Sequence, residues 1–225
     1  INYGNTPPFK NLYPQFKDKI EHTILKADTS LKEIESLCKE AIDYEFFGVC
    51  VPPYFVKYAS LMLKNSAVKV VTVAGFPLGY NTTPAKVEEA RKAMDEGAAE
   101  IDMVMNIAAL KKGDTNFVLN DILSVTTLVQ LKGCKLKVII ETAMLSQSEK
   151  ITACEICAKV GVDFVKTSTG FASSGAKVED IELMRKILPS SIKIKASGGV
   201  KTKEQALNLI EAGADRLGTS SGPAL

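Results

Sequence analysis

Short runs of apolar and β-branched residues recur along the chain. Longer stretches with apolar positions three and four apart separate them. The strand-like runs fall at residues 20–25, 47–51, 68–74, 100–104, 136–141, 163–166, 192–196 and 215–218. Residues 20–25 alternate apolar and polar, whereas 68–74 is almost continuously apolar, the mark of a strand covered on both faces. Between the runs, Leu31, Ile34, Leu37, Cys38, Ala41 and Ile42 form one helical stripe. Further helices are expected over residues 54–63, 116–131, 148–160 and 178–188, after Thr202, and from a start capped by Thr83 with Pro84 in the first turn. Three helices open with a capping box: Ser30 with Glu33, Ser146 with Glu149, and Thr202 with Gln205.

Eight strands separated by seven helices predict a parallel sheet covered by helices. Eight such strands in about 200 residues suit a closed barrel better than an open sheet. A repeated joint points the same way. Glu96-Gly97-Ala98-Ala99-Glu100-Ile101, Val160-Gly161-Val162-Asp163-Phe164 and Ala212-Gly213-Ala214-Asp215-Arg216 each read as helix end, glycine, small residue, acid and strand. No G-x-G-x-x-G follows the first strand, which argues against a doubly wound dinucleotide-binding sheet. The expected fold is α/β, a parallel (β/α)8 TIM barrel forming one domain over residues 1–225. Residues 1–18 would be a lead-in holding a short helix, and the last helix would be cut short, because Leu225 follows closely on strand eight.

Composition narrows the partners. A net charge of +2 leaves no basic face for nucleic acid. No apolar run reaches the ~18 residues of a membrane span, and the first residues lack the plan of a signal peptide. Five scattered cysteines argue against a disulfide framework and for a reducing, cytoplasmic setting. Cys154 and Cys157 have the spacing of a redox or zinc pair, but they lie in a helical run without a second pair, so packing on the helix face is expected. No His/Asp/Glu cluster has metal-ligand spacing, and no metal or organic cofactor is expected.

Functional residues of such a barrel sit at the C-terminal ends of its strands. Those ends carry Glu21, His22 and Thr23, Cys50, Asp102, Glu141 and Thr142, Lys166, Lys195, and Gly218, Ser220 and Ser221. Lys166 and Lys195 fall on adjacent strands at similar height. One ammonium beside another, out of water, loses its proton more readily. A lysine brought down to roughly 7–8 can attack a carbonyl. Asp102 could balance the remaining charge and relay protons. Spacing alone leaves equal room for lysines that reach solvent in ordinary ion pairs. Ser197-Gly198-Gly199 and Gly218-Thr219-Ser220-Ser221-Gly222 follow the last two strands, where barrels often hold phosphate, and Thr169-Gly170 could complete the cradle. Plain turn chemistry is the alternative. Together the two features describe a Schiff-base enzyme acting on a phosphorylated sugar.

At these residues the chain resembles the 2-deoxyribose-5-phosphate aldolase family of class I aldolases. The likeness runs from about Ile20 to Gly222 and is most specific at Lys166-Thr167-Ser168-Thr169-Gly170 and Lys195-Ala196-Ser197-Gly198-Gly199. Glu21-His22-Thr23-Ile24-Leu25-Lys26 is similar to the family's D-H-T-x-L-K opening, with Glu for Asp. The resemblance implies that Lys166 forms the Schiff base. Lys195 would depress its pKa and relay protons with Asp102. Thr169, Gly170, Gly198, Gly199, Gly218, Ser220 and Ser221 would hold phosphate, and Thr23 and Cys50 would line the substrate pocket. His22 is expected to be structural, and Glu141 to be a partner for charge inside the barrel. The partner implied is a small sugar phosphate, and dimers or tetramers are common in the family. A Schiff-base aldolase for another sugar phosphate and a non-catalytic sugar-phosphate-binding barrel stay open as alternatives.

Overall fold

The structure is a computed structural model that describes residues 16–225. The helix expected in the lead-in lies largely outside the described residues; within them, one 3-10 turn, Lys17–Lys19, precedes the first strand. The strands are β1 (Ile20–Thr23), β2 (Gly48–Cys50), β3 (Lys69–Ala74), β4 (Glu100–Val104), β5 (Lys135–Ile139), β6 (Phe164–Lys166), β7 (Lys193–Ser197) and β8 (Arg216–Thr219). Each pairs in parallel with its neighbour in sequence, and β8 closes onto β1. The expected (β/α)8 barrel is the fold of the chain.

The helices are α1 (Leu31–Asp43), α2 (Val56–Met62), α3 (Thr83–Asp95), α4 (Ile107–Lys111), α5 (Thr115–Leu131), α6 (Gln147–Val160), α7 (Val178–Ile187) and α8 (Lys203–Glu211). All three capping boxes form, with the cap oxygen accepting from the third helical amide and that residue's side chain reaching back. Three details differ from the sequence reading. The short α4 adds a second helix between β4 and β5. Pro53–Phe55 winds as a 3-10 turn before α2. Thr82, not Thr83, occupies the cap position of α3. The Thr83 hydroxyl instead donates to Asp121 Oδ1 at 2.7 Å, beside a buried Lys86–Asp121 pair at 2.6 Å. A buried ion pair needs its remaining lone pairs filled, so Thr83 serves the junction of α3 with α5. After β8 a 3-10 turn, Gly222–Ala224, ends at the buried Leu225.

Apolar packing divides in two. The large core lies between barrel and helices, and includes Ile34, Ile101, Val125, Leu136, Ile181 and Leu217. A small separate cluster, Cys50, Val71 and Val73, lies in register across β2 and β3 inside the barrel. Cys154 and Cys157 are both fully buried in the outer core, as packing on a helix face requires.

The repeated joints work as glycine turns: Gly97, Gly161 and Gly213 have φ of +110°, +77° and +116°, the region an L side chain avoids. At two joints the acid then ties adjacent strands together. Leu136 N donates to Asp163 Oδ2 at 3.0 Å, and Ile194 N to Asp215 Oδ2 at 2.9 Å. The third joint has one extra alanine, Ala98-Ala99, before its acid. Side chains alternate along a strand with period two, so one added residue reverses the face. Glu100 accordingly turns into the barrel.

Candidate active site

Register decides what meets inside the barrel. Lys166 pairs with Lys195 across β6 and β7, Lys195 with Arg216 across β7 and β8, and Asp102 with Lys137 across β4 and β5. Glu21 lies level with Gly48 on one side and Gly218 on the other. Ionisable side chains therefore face one another in a space closed to bulk water, where an unpaired charge is costly.

The result is a connected ion network. Asp102 Oδ2 accepts from Lys166 Nζ at 2.8 Å and from Lys195 Nζ at 2.7 Å. Its other oxygen accepts from Lys137 Nζ at 2.8 Å. Lys137 also reaches Glu100 Oε2 at 2.6 Å and Glu21 Oε1 at 3.3 Å. Arg216 Nη1 bridges Glu21 at 2.8 Å and Glu100 at 3.1 Å, its guanidinium stacked on the Phe47 ring. Lys195 Nζ donates also to Glu21 Oε2.

Electrostatics separate the two lysines of the sequence reading. Burial pushes the Lys166 amine below the ordinary lysine value; Asp102 works against that and the Lys195 charge works with it. Burial acts on Lys195 in the same sense, but Asp102 and Glu21 outweigh it and hold that ammonium above the ordinary value. Burial alone would raise Asp102. Lys137, Lys166 and Lys195 overcome it and keep the carboxyl well below its usual range.

Above the network opens a cavity of about 360 Å³. Thr23, Lys166, Thr169, Gly170, Gly198, Gly199, Gly218 and Ser220 line it. Gly198 and Gly199 take φ of +84° and +76°, turning the backbone so that it can approach a ligand closely. Asp102 and Lys195 lie deeper, so Lys166 is the member of the lysine–aspartate set that meets the cavity. Two expected lining residues are elsewhere. Cys50 belongs to the small apolar cluster, its thiol pushed up to about 11 by burial. Ser221 lies outside the lining, its amide donating to Thr219 Oγ1 at 2.9 Å. Lys26 and Lys201 line the cavity without having been assigned a role from sequence.

Thr169 lines the cavity, but its donors are engaged elsewhere: its amide lies 3.3 Å from both Glu141 oxygens, and its hydroxyl donates to Glu141 Oε2. Glu141 itself has φ +54°. Its described partners are thus an amide and a hydroxyl, not the cationic partner expected. His22 faces away from the barrel interior, with Nε2 2.7 Å from Glu40 Oε2 on α1 and its ring edge-on to Phe46, a packing position. Glu21, Cys50 and Asp102 bring possible ligand atoms within 4.8 Å of one another. The ammonium groups of Lys195 and Lys137 already engage both carboxylates, so Glu21 and Asp102 belong to the ion network and Cys50 borders it.

Sequence reasoning missed Lys137, Glu100 and Arg216 as members of this network. The extra alanine before Glu100 was a legible sign. Lys137 and Arg216 each stand one residue pair below an inward position, Ile139 and Gly218, and that parity becomes visible only once register is known.

A protein-family model described as DeoC/LacD family aldolase matches residues 18–224. A protein from Thermococcus gammatolerans named deoxyribose-phosphate aldolase is 55% identical over 205 residues, 90% of this chain and 91% of that protein. One of the same name from Lactococcus lactis is 51% identical over 212 residues, 94% of this chain and 95% of that protein. Among solved structures, the deoxyribose phosphate aldolase of Aeropyrum pernix, described as a unique tetramer, matches with a TM-score of 0.87 at 28% identity, over 92% of this chain and 88% of that one.

Proposed function

The chain belongs to the DeoC/LacD aldolase family, and on that premise we propose that it catalyses the reversible aldol cleavage of 2-deoxy-D-ribose 5-phosphate to D-glyceraldehyde 3-phosphate and acetaldehyde. The observation that carries the reading is the pair of buried lysines on one Asp102 oxygen, with only Lys166 open to a glycine-lined cavity.

Lys166 Nζ attacks C1 of the open-chain aldehyde, water leaves, and an iminium remains. The C3 hydroxyl gives up its proton as the bond between C2 and C3 breaks. The bond's electron pair moves into the iminium, leaving an enamine and releasing glyceraldehyde 3-phosphate. A proton added at C2 restores the iminium, and water then frees acetaldehyde and the Lys166 amine. The covalent step divides one difficult cleavage into easier ones. Lys195, held as the ammonium beside Asp102, is suited to give a proton to the departing water oxygen, then as the amine to take the C3 hydroxyl proton and pass it to C2 of the enamine. Gly170, Gly198, Gly199, Gly218 and Ser220 would receive the phosphate through backbone amides and the serine hydroxyl, with Lys26 and Lys201 supplying positive charge. Thr23 would face the sugar. Thr169 would shape the cradle rather than donate to it, because Glu141 holds its donors. The chemistry uses no metal or organic cofactor.

The reading extends to one barrel domain over residues 1–225, acting in the cytoplasm as a homo-oligomer. It is supported by five cysteines that are free of disulfides and by the tetramer described for the Aeropyrum pernix relative. Among the described residues no helix is long and apolar enough to cross a membrane.

Borohydride reduction in the presence of 2-deoxyribose 5-phosphate, followed by peptide mass spectrometry, tests the mechanism. An adduct on Lys166 is expected, and its absence overturns the Schiff-base reading. Turnover of ribose 5-phosphate in place of the deoxy sugar would reassign the substrate.

A further inference from the structure

Lys166 and Lys195 share Asp102 but differ in what else they touch. Asp102 is the carboxylate within ion-pair distance of Lys166. Lys195 has Asp102 on one side and Glu21 on the other. We infer that Glu21 is a positioning residue that selects the nucleophile: by giving Lys195 a second carboxylate, it keeps Lys195 as the ammonium and leaves Lys166 as the lysine that surrenders its proton. The inference rests on the aldolase reading above and adds to it the reason that one lysine of the pair reacts.

The wall around Glu21 is built to let it reach. Both of its register partners, Gly48 and Gly218, are glycines. A Cβ at Gly218 would come within 3.0 Å of Lys195 Cε, so a larger residue there would press on the lysine Glu21 holds. Arg216 at 2.8 Å and Lys137 at 3.3 Å fix the first Glu21 oxygen, which aims the second at Lys195. The carboxylate is fully buried, and despite that burial Lys137, Lys195 and Arg216 keep it below the usual range, with Asp102 opposing them. It is therefore an anion wherever the site works. Around Lys195 stand Asp102 from β4, Glu21 from β1, Lys137 from β5, Lys166 from β6, Arg216 from β8 and Cys50 from β2. Of these, Glu21 is the carboxylate that Lys166 does not share as an ion-pair partner.

The charge count supports the same selection. Among the described residues, the connected network holds the carboxylates Glu21, Glu100 and Asp102 and the cations Lys137, Lys166, Lys195 and Arg216. One cation is in excess. A buried cluster with surplus charge favours loss of one proton. Arg216 cannot supply it. Lys137 touches three carboxylates and Lys195 two, whereas Lys166 touches one and opens to the cavity. Loss of the Lys166 proton makes the cluster neutral and places the free amine where a carbonyl can reach it.

The test is the pH profile of kcat/KM for Glu21→Gln. The acid limb reports loss of the Lys166 proton, and the alkaline limb loss of the Lys195 proton. Removing the Glu21 charge should move the alkaline limb toward neutral by about one pH unit or more, while Glu21→Asp, which retains the charge, recovers most of that shift. A purely structural role would lower activity at every pH with both limbs unmoved, and that result overturns the inference. If Glu21→Gln does not fold, a 15N NMR titration of the lysine Nζ atoms in the unaltered protein decides the matter. Lys166 must lose its proton before Lys195; the reverse order overturns the inference. Borohydride trapping in the unaltered protein separates the two levels. No adduct on Lys166 removes the aldolase reading itself, whereas an adduct there with unmoved limbs removes only the role of Glu21.

Discussion

Lys166 on β6 and Lys195 on β7 stand opposite one another in the parallel ladder, so two ammonium groups leave the barrel wall at the same height and on the same face. Backbone pairing fixes their proximity, and no side-chain rotation on one strand can shift it by a residue. The protein tolerates the pair because one Asp102 oxygen receives both. That arrangement makes the nucleophile a property of three strands together.

Replacing Lys166 with methionine keeps length and apolar stem but removes the amine. Turnover should fall by roughly 10⁴-fold or more, as for loss of a covalent nucleophile. The fold should not suffer, because the change removes the surplus cation from a closed site. Acetaldehyde release and the thermal midpoint check the two halves; a lowered midpoint would show that the ammonium stabilises the barrel.

Lys137→Met removes a cation that never meets the cavity. It leaves three carboxylates facing Lys166, Lys195 and Arg216, so Lys166 loses its incentive to deprotonate. The acid limb of kcat/KM should move upward by about one pH unit, a tenfold change in the amine fraction below it. An acid limb that stays in place would mean that Lys166 is tuned by its nearest neighbours alone.

Gly198→Ala should weaken binding of the phosphorylated substrate. The position has φ +84°, and an added Cβ would lie 2.9 Å from the Gly175 Cα, a backbone atom that cannot swing aside. A left-handed conformation costs an L residue about 1–2 kcal/mol, and relaxing it would pull amides away from the anion. KM for the phosphate ester should rise roughly tenfold with a smaller change in kcat. Unphosphorylated deoxyribose should show no such KM change.

Acid should unfold the protein through the same network. Glu21 and Asp102 are both held below their ordinary values by neighbouring cations, in spite of burial. In the unfolded chain they bind protons more readily, so stability from them is fully present above the unfolded carboxyl range and is lost as pH falls from there through their depressed folded values. The urea midpoint should hold from about pH 8 to about pH 5 and drop below about pH 4. The drop should be shallower in Asp102→Asn, starting from a lower plateau. Equal slopes would assign acid unfolding to surface carboxylates.

Most of the fold was legible because the periods were clean. β-branched runs marked strands, and the Ser30, Ser146 and Thr202 boxes marked helix starts to within a residue. Lys166 could be picked out because it ends its strand, whereas Asp102 and Lys195, expected at strand ends, stand in mid-strand and were legible as charges within largely apolar runs. The rest depended on which face a side chain takes, and that is a matter of register. Lys137 reads as an ordinary polar interruption until its pairing with Asp102 and Phe164 is known. Cys50 ends its strand like Lys166, yet it packs with Val71 and Val73 and lies outside the cavity lining. Thr169 and Glu141 looked separately useful, but they satisfy each other. That pairing depends on the left-handed turn at Glu141, for which the sequence offers no glycine as a sign.

The division of the barrel interior has a stereochemical consequence. On the side of β2 and β3 the interior carries Cys50, Val71 and Val73, with the Cys50 thiol held protonated by burial. The Cys50 thiol also lies within 4.8 Å of the Glu21 and Asp102 carboxylates that hold Lys195. An enamine on Lys166 is planar and has two faces, and Lys195, fixed opposite Lys166 in the ladder, reaches it from one side. Proton exchange at C2 should then be confined to a single face. With propanal in D₂O, one of the two prochiral hydrogens should exchange and the other persist; loss of both at equal rate would mean that bulk water, not the barrel wall, handles the proton.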